Sequence, residues 1–207
     1  MFPLGTVLVP GMLLPLQVFE PRYRRMLDDC LAGDQTFGVV LIERGSEVGG
    51  GDVRTSVGTL ARIVQAEQLP DGRWGLVAVG VSRLRVTSWL SDDPYPRAVV
   101  EAWPDLPGDL DAEATANAHA EVLTLLRRAA GLSRELGLPG APLDLELDDD
   151  PLVAGYQAML AAPLGPADRQ RLLAAPTLAD RFELLVVLLT EQIEVLQAEL
   201  AFGGGEQ

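Results

Sequence analysis

No lysine occurs anywhere in the 207 residues; all 16 basic side chains are arginine. A G-x-x-x-x-G-K-[ST] phosphate loop is therefore excluded, because the lysine that reaches the phosphates has no candidate. A Ser-Lys dyad and a lysine Schiff base fall on the same ground. The single histidine, His119, would have to serve any Ser-His-Asp or Cys-His arrangement, yet it lies in A-N-A-H-A-E, on an expected helix with no signature serine nearby. The single cysteine, Cys30, leaves no intrachain disulfide and fits a reducing compartment. One Cys with one His also falls short of an ordinary structural zinc site. Aromatic residues make up only 5% of the chain. No stretch reaches the roughly 18 unbroken apolar residues of a membrane-spanning helix. The apolar start lacks a basic n-region and carries Pro3, Pro10 and Pro15, unlike a signal peptide. These absences predict a cytoplasmic, non-catalytic, soluble chain with no metal and no cofactor.

Charge is unevenly divided. Residues 1–104 hold 10 arginines against 12 acidic residues, and residues 105–207 hold 6 against 18, so the second half carries most of the net −14. Nucleic acid is excluded as an expected partner, because phosphate neutralisation needs a basic footprint. The acidic run L-D-L-E-L-D-D-D at 143–150 is not a calcium loop. With Asp144 at loop position one, Asp149 takes the place of the turn glycine and Gly155 that of the bidentate glutamate. A solvated acidic loop ending in a helix cap is expected instead.

Residues 6–9 form a β-prone run stopped by the turn pair Pro10-Gly11. A second apolar run at 13–19 is interrupted by Pro15 and should lie at a sheet edge or carry a bulge. Pro21 opens a helix, and Tyr23, Met26, Leu27, Cys30 and Leu31 share its apolar face, with Gly33 as its terminating glycine. Glu20 and Arg22 flank the helix start and, with Tyr23, are expected to hold the corner by an ion pair or by capping. The following segments read as β: 36–42 as a central strand, then 56–68 with Gly58 as a candidate bulge. Pro70-Asp71-Gly72 is a hairpin turn, followed by 73–81, 82–90 and 95–103. Leu84, Val86, Ser88 and Leu90 alternate with Arg83, Arg85, Thr87 and Trp89, the pattern of a half-solvated strand. Gly-rich 43–54 is expected to be a mobile loop.

Residues 105–112 read as a polar linker and 113–202 as helical, with 203–207 as a disordered tail. One helix is expected over 114–136, with a break near Gly131. Asp150-Pro151 supplies an N-cap and a proline at N1, Gly165-Pro166 repeats the proline start, and Thr177 with Asp180 forms a capping box. Leu185, Leu188, Leu189, Ile193, Leu196 and Leu200 form a stripe along the last helix that should dock on the other helices.

The run P-L-G-T-V-L-V-P-G-M-L-L-P-L-Q-V-F-E-P-R-Y-R-R-M at 3–26 resembles the opening of the Lon protease N-terminal, substrate-binding domain. F-G-V-V-L-I at 37–42, V-G-T-L-A-R-I at 57–63, L-P-D-G-R at 69–73 and G-V-S-R-L-R-V at 80–86 continue the likeness in order. D-P at 150–151, L-A-A-P-L at 160–164 and D-R-Q-R-L-L at 168–173 extend it into the second half. The resemblance implies an α+β fold: an N-terminal PUA-like β pseudobarrel with one helix, followed by a C-terminal helical bundle. It also implies a module that binds exposed apolar segments of other proteins, with Phe2, Met12, Leu13 and Trp74 as candidate contacts. The expected partners are unfolded or degron-bearing polypeptides, a protease or chaperone, or a second copy of the chain; a membrane is not among them. The alternative is an assembly or regulatory subunit whose helical half binds one dedicated protein or itself.

Overall fold

The structure is a computed structural model and describes residues 1–47, 51–109 and 111–203. It divides into two compact units, Met1–Pro104 and Asp105–Gln207.

The first unit is a curled, mixed six-stranded sheet with one helix. Its elements are β1 (Phe2–Leu4), β2 (Leu13–Val18), α1 (Pro21–Ala32), β3 (Thr36–Arg44), β4 (Val53–Gln68), β5 (Trp74–Trp89) and β6 (Ala98–Ala102). The strand order is β1-β3-β4-β5-β2, with β6 also on β5. One edge of β5 is thus shared, its first half by β2 and its second half by β6. β1 and β2 end the strand path without pairing to each other among the described residues, so the curl stays an incomplete barrel. Phe2, Leu14, Val18, Tyr23, Met26, Leu27, Phe37, Ile63 and Leu76 fill its interior, and α1 contributes the expected face.

Several local expectations are corrected. Residues 6–9 are not a strand, although Val7, Leu8 and Val9 are buried. Their carbonyls are engaged from the sheet instead: Thr59 Oγ1 donates to the Leu8 carbonyl at 2.6 Å, and Gly80 lets the Val9 carbonyl press where a Cβ would stand. The first strand is Phe2–Leu4, parallel to β3. The two expected strands around residues 81 and 82 are one, with Val81 as the extra residue of a bulge between the Leu60↔Ser82 and Ala61↔Gly80 pairs. Gly58 pairs with Val40 and Leu84 at the point where the β3–β4 register shifts between Val40 and Ile42, beside the expected bulge, and the Val39 carbonyl leaves no room there for a Cβ. Gly33 does end α1, as expected, but at φ −110°; the left-handed residue is Gln35 at φ 60°. Arg83, expected on a solvated face, is 2% exposed; its guanidinium donates to the Pro104 carbonyl at 2.9 Å. Of the Gly-rich stretch 43–54, residues 43–44 and 53–54 belong to β3 and β4, and residues 48–50 lie outside the described residues.

The second unit holds α2 (Ala112–Glu135), α3 (Pro151–Ala161), α4 (Pro166–Leu173) and α5 (Leu178–Gly203). Its starts follow the sequence signals closely. Asp111 accepts from the Ala114 N–H and Asp150 from the Leu152 N–H, both at 2.8 Å. Thr177 and Asp180 exchange side chain-to-backbone bonds at 3.0–3.1 Å. α2 runs through Gly131 without a break and ends at Gly137, φ 69°, with Leu138 N–H donating to the Ser133 carbonyl. Leu185, Leu188, Leu189, Ile193 and Leu196 are buried. Residues 105–109 are not a free tether: Leu106 bridges to Thr177, and Asp105 takes hydrogen bonds from Tyr156 and Arg181. Residue 110 and the tail residues 204–207 lie outside the described residues.

Candidate functional site

β2 is an edge strand by construction. Gly80 N–H donates to the Met12 carbonyl at 3.0 Å, which fixes the alternation that follows. Leu14, Leu16 and Val18 exchange backbone bonds with β5, while Leu13, Pro15 and Gln17 turn their backbone groups to the open side. The donor that Pro15 lacks therefore falls where no sheet partner needs it. The same parity sorts the side chains: Leu14 and Val18 are buried, whereas Leu13, Pro15 and Gln17 are exposed.

Two concavities meet along this strand. On the outer sheet face, Pro15, Gln17, Gly75, Val77, Gln65 and Glu67 line a trough of about 430 Å³. Its floor is Gly75, whose missing side chain would find only the Glu67 carbonyl at 3.9 Å. Around the edge of β2, in the seam between the two unpaired ends of the sheet, a cavity of about 210 Å³ is lined by Phe2, Leu4, Val18, Phe19, Glu20, Tyr23 and Glu47. Pro15, Leu16 and Gln17 line both.

The strand-helix corner forms one wall of the seam. Arg22 Nε donates to Glu20 Oε2 at 3.0 Å, so the corner is held by an ion pair, and Glu20 makes no side-chain cap. Arg22 also reaches the Glu47 carbonyl and lies 4.5 Å above the Tyr23 ring. Tyr23 stacks on Phe2 with centroids 4.3 Å apart, and burial pushes its phenol up to about 12. Burial likewise raises the Cys30 thiol, which packs on the core. Nearby, hydrogen bonding from Arg54 holds the Asp52 carboxyl below its usual range, and Arg54 also binds Asp92 beneath the ring of Trp89.

The four candidate contacts separate. Phe2 is 7% exposed, its ring stacked on Tyr23 in the core, and it reaches the surface only as part of the seam wall. Met12 and Trp74 are partly buried against the same core. Leu13 alone is open, at 60%. The structure brings Phe2, Glu20 and Tyr23 into one cavity and adds Phe19, 52% exposed, with Glu47, Glu67 and Gly75. Phe19 was legible as an aromatic ending an apolar run just before the helix. Glu67 and Gly75 carry no such signal, since only strand register places them, and Glu47 lies on the loop that follows β3.

Elsewhere, His119 lies on α2 with Nε2 3.2 Å from the Asp148 carbonyl. No cluster of metal-ligating side chains occurs among the described residues. No described helix is long and apolar enough to cross a membrane.

Comparison with known proteins gives this geometry a context. The family described as ATP-dependent protease La (LON) substrate-binding domain matches residues 1–191. Lon protease 2 of Sorangium cellulosum is 31% identical over 206 residues, which covers 94% of this chain and 24% of that protein. Lon protease 2 of Myxococcus xanthus is 30% identical over 203 residues, covering 93% and 23%. The chain thus spans about a quarter of the length of these curated relatives. The Lon N-terminal domain protein from Xanthomonas campestris superposes with a TM-score of 0.64 at 29% identity, over 90% of this chain and 95% of that one. The N-terminal domain of Mycobacterium avium complex Lon protease has a TM-score of 0.61 at 20% identity, a likeness of fold. The match lies in the substrate-binding domain, the non-catalytic part of the protease. The chain belongs to the Lon substrate-binding domain family and has its α+β fold.

Proposed function

We infer that this chain is a non-catalytic polypeptide-recognition module that binds exposed apolar segments of other proteins along β2. The observation that carries the reading is the coincidence, on one edge strand, of open apolar side chains and two adjoining concavities. Leu13 and Phe19 stand 60% and 52% exposed at its two ends, with Pro15 and Leu16 between them bordering both hollows. An apolar hollow with a few polar groups at its rim is the usual form of a binding site. Family membership supplies the class of ligand, a protein substrate.

Binding of the purified protein to a reduced, unfolded model polypeptide and to its native form, followed by fluorescence anisotropy, tests this reading. Selective micromolar binding of the unfolded form is expected. Leu13→Asp and Phe19→Asp should each weaken it about tenfold, because each replaces an apolar contact with a charge that must be desolvated. Equal affinity for both forms, or indifference to both substitutions, would overturn it. A dedicated partner of the helical unit would then become the better reading, to be sought by pull-down.

A further inference from the structure

We propose that the open edge of β2 takes a bound segment as an added β-strand, and that the preferred segment carries an arginine or lysine among its apolar residues. This rests on the polypeptide-binding reading and specifies its mode and its ligand chemistry.

The first ground is the edge itself. Leu13 and Gln17 each turn an N–H and a C=O outward, and Pro15 adds a carbonyl, at the spacing an extended chain reads. Folded proteins normally blunt such edges with short strands, charge or proline. β1 is only three residues long, and β6 carries Glu101, which pairs with Arg85. β2 is six residues of L-L-P-L-Q-V with no charge at all. Pro15 removes one outward donor, but Leu13 and Gln17 on either side keep theirs, so of these three edge strands β2 offers the most to a partner chain.

The second ground is charge. Every ionisable group with a formal charge that lines the two concavities is a carboxylate: Glu20 and Glu47 in the seam, Glu67 beside the trough. Glu20 Oε2 is taken by Arg22, and Glu47 Oε1 accepts the Gly5 N–H. Their remaining oxygens can accept a cationic donor from a strand whose apolar side chains lie against Leu4, Val18 and Tyr23. The sheet unit as a whole is nearly balanced, at 12 acidic residues against 10 arginines, so the preference rests on these local carboxylates.

The probe is a fluorescein-labelled peptide of roughly ten residues, alternating leucine with threonine and bearing two arginines, a length that matches a natural strand. N-methylation of every second amide, in the set that faces β2, should weaken binding by about tenfold or more. N-methylation of the other set should leave it unchanged, since those amides point away from the edge. On the protein, Gln17→Pro removes an outward donor that the sheet does not use and should weaken binding about fivefold. Gln17→Ala, which loses the same side-chain bond to Arg73 but keeps the N–H, should not. Glu47→Gln should weaken the arginine peptide about threefold and its citrulline counterpart not at all. Exchange of the Leu13 and Gln17 amides should slow in the complex.

Equal weakening by both N-methyl sets, or unaltered binding to the Gln17→Pro protein while unfolded polypeptide is still captured, overturns strand addition and leaves polypeptide binding standing. A folded protein that binds neither peptide nor unfolded polypeptide overturns both. Equal affinity for the arginine and citrulline peptides overturns the charge preference.

Discussion

Both units bury an arginine, and they do so for different kinds of neighbour. In the sheet unit Arg83 reaches a backbone carbonyl, that of Pro104, and lies near the Trp103 ring. In the helical unit Arg181, fully buried on α5, binds the Asp105 carboxylate and the Leu172 carbonyl and covers the Tyr156 ring at 4.4 Å. Two consecutive residues, Pro104 and Asp105, are thus each held by a buried arginine of their own unit. The contrast extends to the surfaces. The helical unit holds 18 acidic residues against 6 arginines and uses several of its carboxylates to cap helices. The sheet unit is nearly balanced, at 12 against 10, and leaves one uncharged edge open. Local capping closes the termini of a helix; only another strand closes the edge of a sheet.

Breaking the helical clamp should have the largest effect. Arg181→Met leaves Asp105 charged and nearly buried, and should cost the helical unit about 3–5 kcal/mol. Amide hydrogen exchange read unit by unit should show α3 and α5 accelerated with β3–β5 unchanged. Equal acceleration in both units would mean that they do not unfold separately.

The corresponding weak point of the sheet unit is a close approach of two backbones. Gly80→Ala drives a methyl into the Val9 carbonyl and should cost about 1–3 kcal/mol, read in urea unfolding. A neutral result would show that residues 6–9 can lift off the sheet freely.

The seam confers a pH dependence on the sheet unit. Tyr23 titrates near 12 in the folded protein against about 10 in the unfolded chain, so the folded state holds this proton more tightly. Its contribution is intact below pH 10 and is lost as pH rises from 10 to 12, by on the order of 2 kcal/mol. The difference in stability between the protein and Tyr23→Phe should change over that window alone. A constant difference would place the phenol in water.

The smallest expected effect is at a cap. Asp150→Ala removes the acceptor for the Leu152 N–H and should cost about 1 kcal/mol, confined to the helical unit. A loss of several kcal/mol would mean that Asp150 holds more than its own helix.

The helical unit was the more legible half, because its signals are local. Asp150-Pro151, the Thr177/Asp180 box and the leucine stripe of α5 each act within about one or two turns of their own helix. In the sheet unit the same reasoning placed Pro15 on an edge and Gly72, φ 81°, in the hairpin turn, both local properties. It failed where non-local pairing decides. Residues 6–9 have strand-like composition, but the Leu8 carbonyl accepts from the Thr59 hydroxyl and the Val9 carbonyl from the Met12 N–H, with no strand ladder. Arg83 follows a solvated alternation, yet a carbonyl 21 residues away draws it inside.

Legible from the chain alone were the α+β class, the starts of α1, α3, α4 and α5, the lack of any lysine for a phosphate loop or dyad, and the family. These follow from residue identity and short-range sterics. Only the folded chain reveals that, among the described residues, β1 and β2 do not pair with each other and that Phe2 faces inward while Leu13 faces out. It alone brought Glu20, Glu47 and Tyr23 around one seam. Such placements depend on strand register and on the helix and loop that the sheet carries, which are fixed jointly by side chains dozens of residues apart and so are written in no single stretch of the chain.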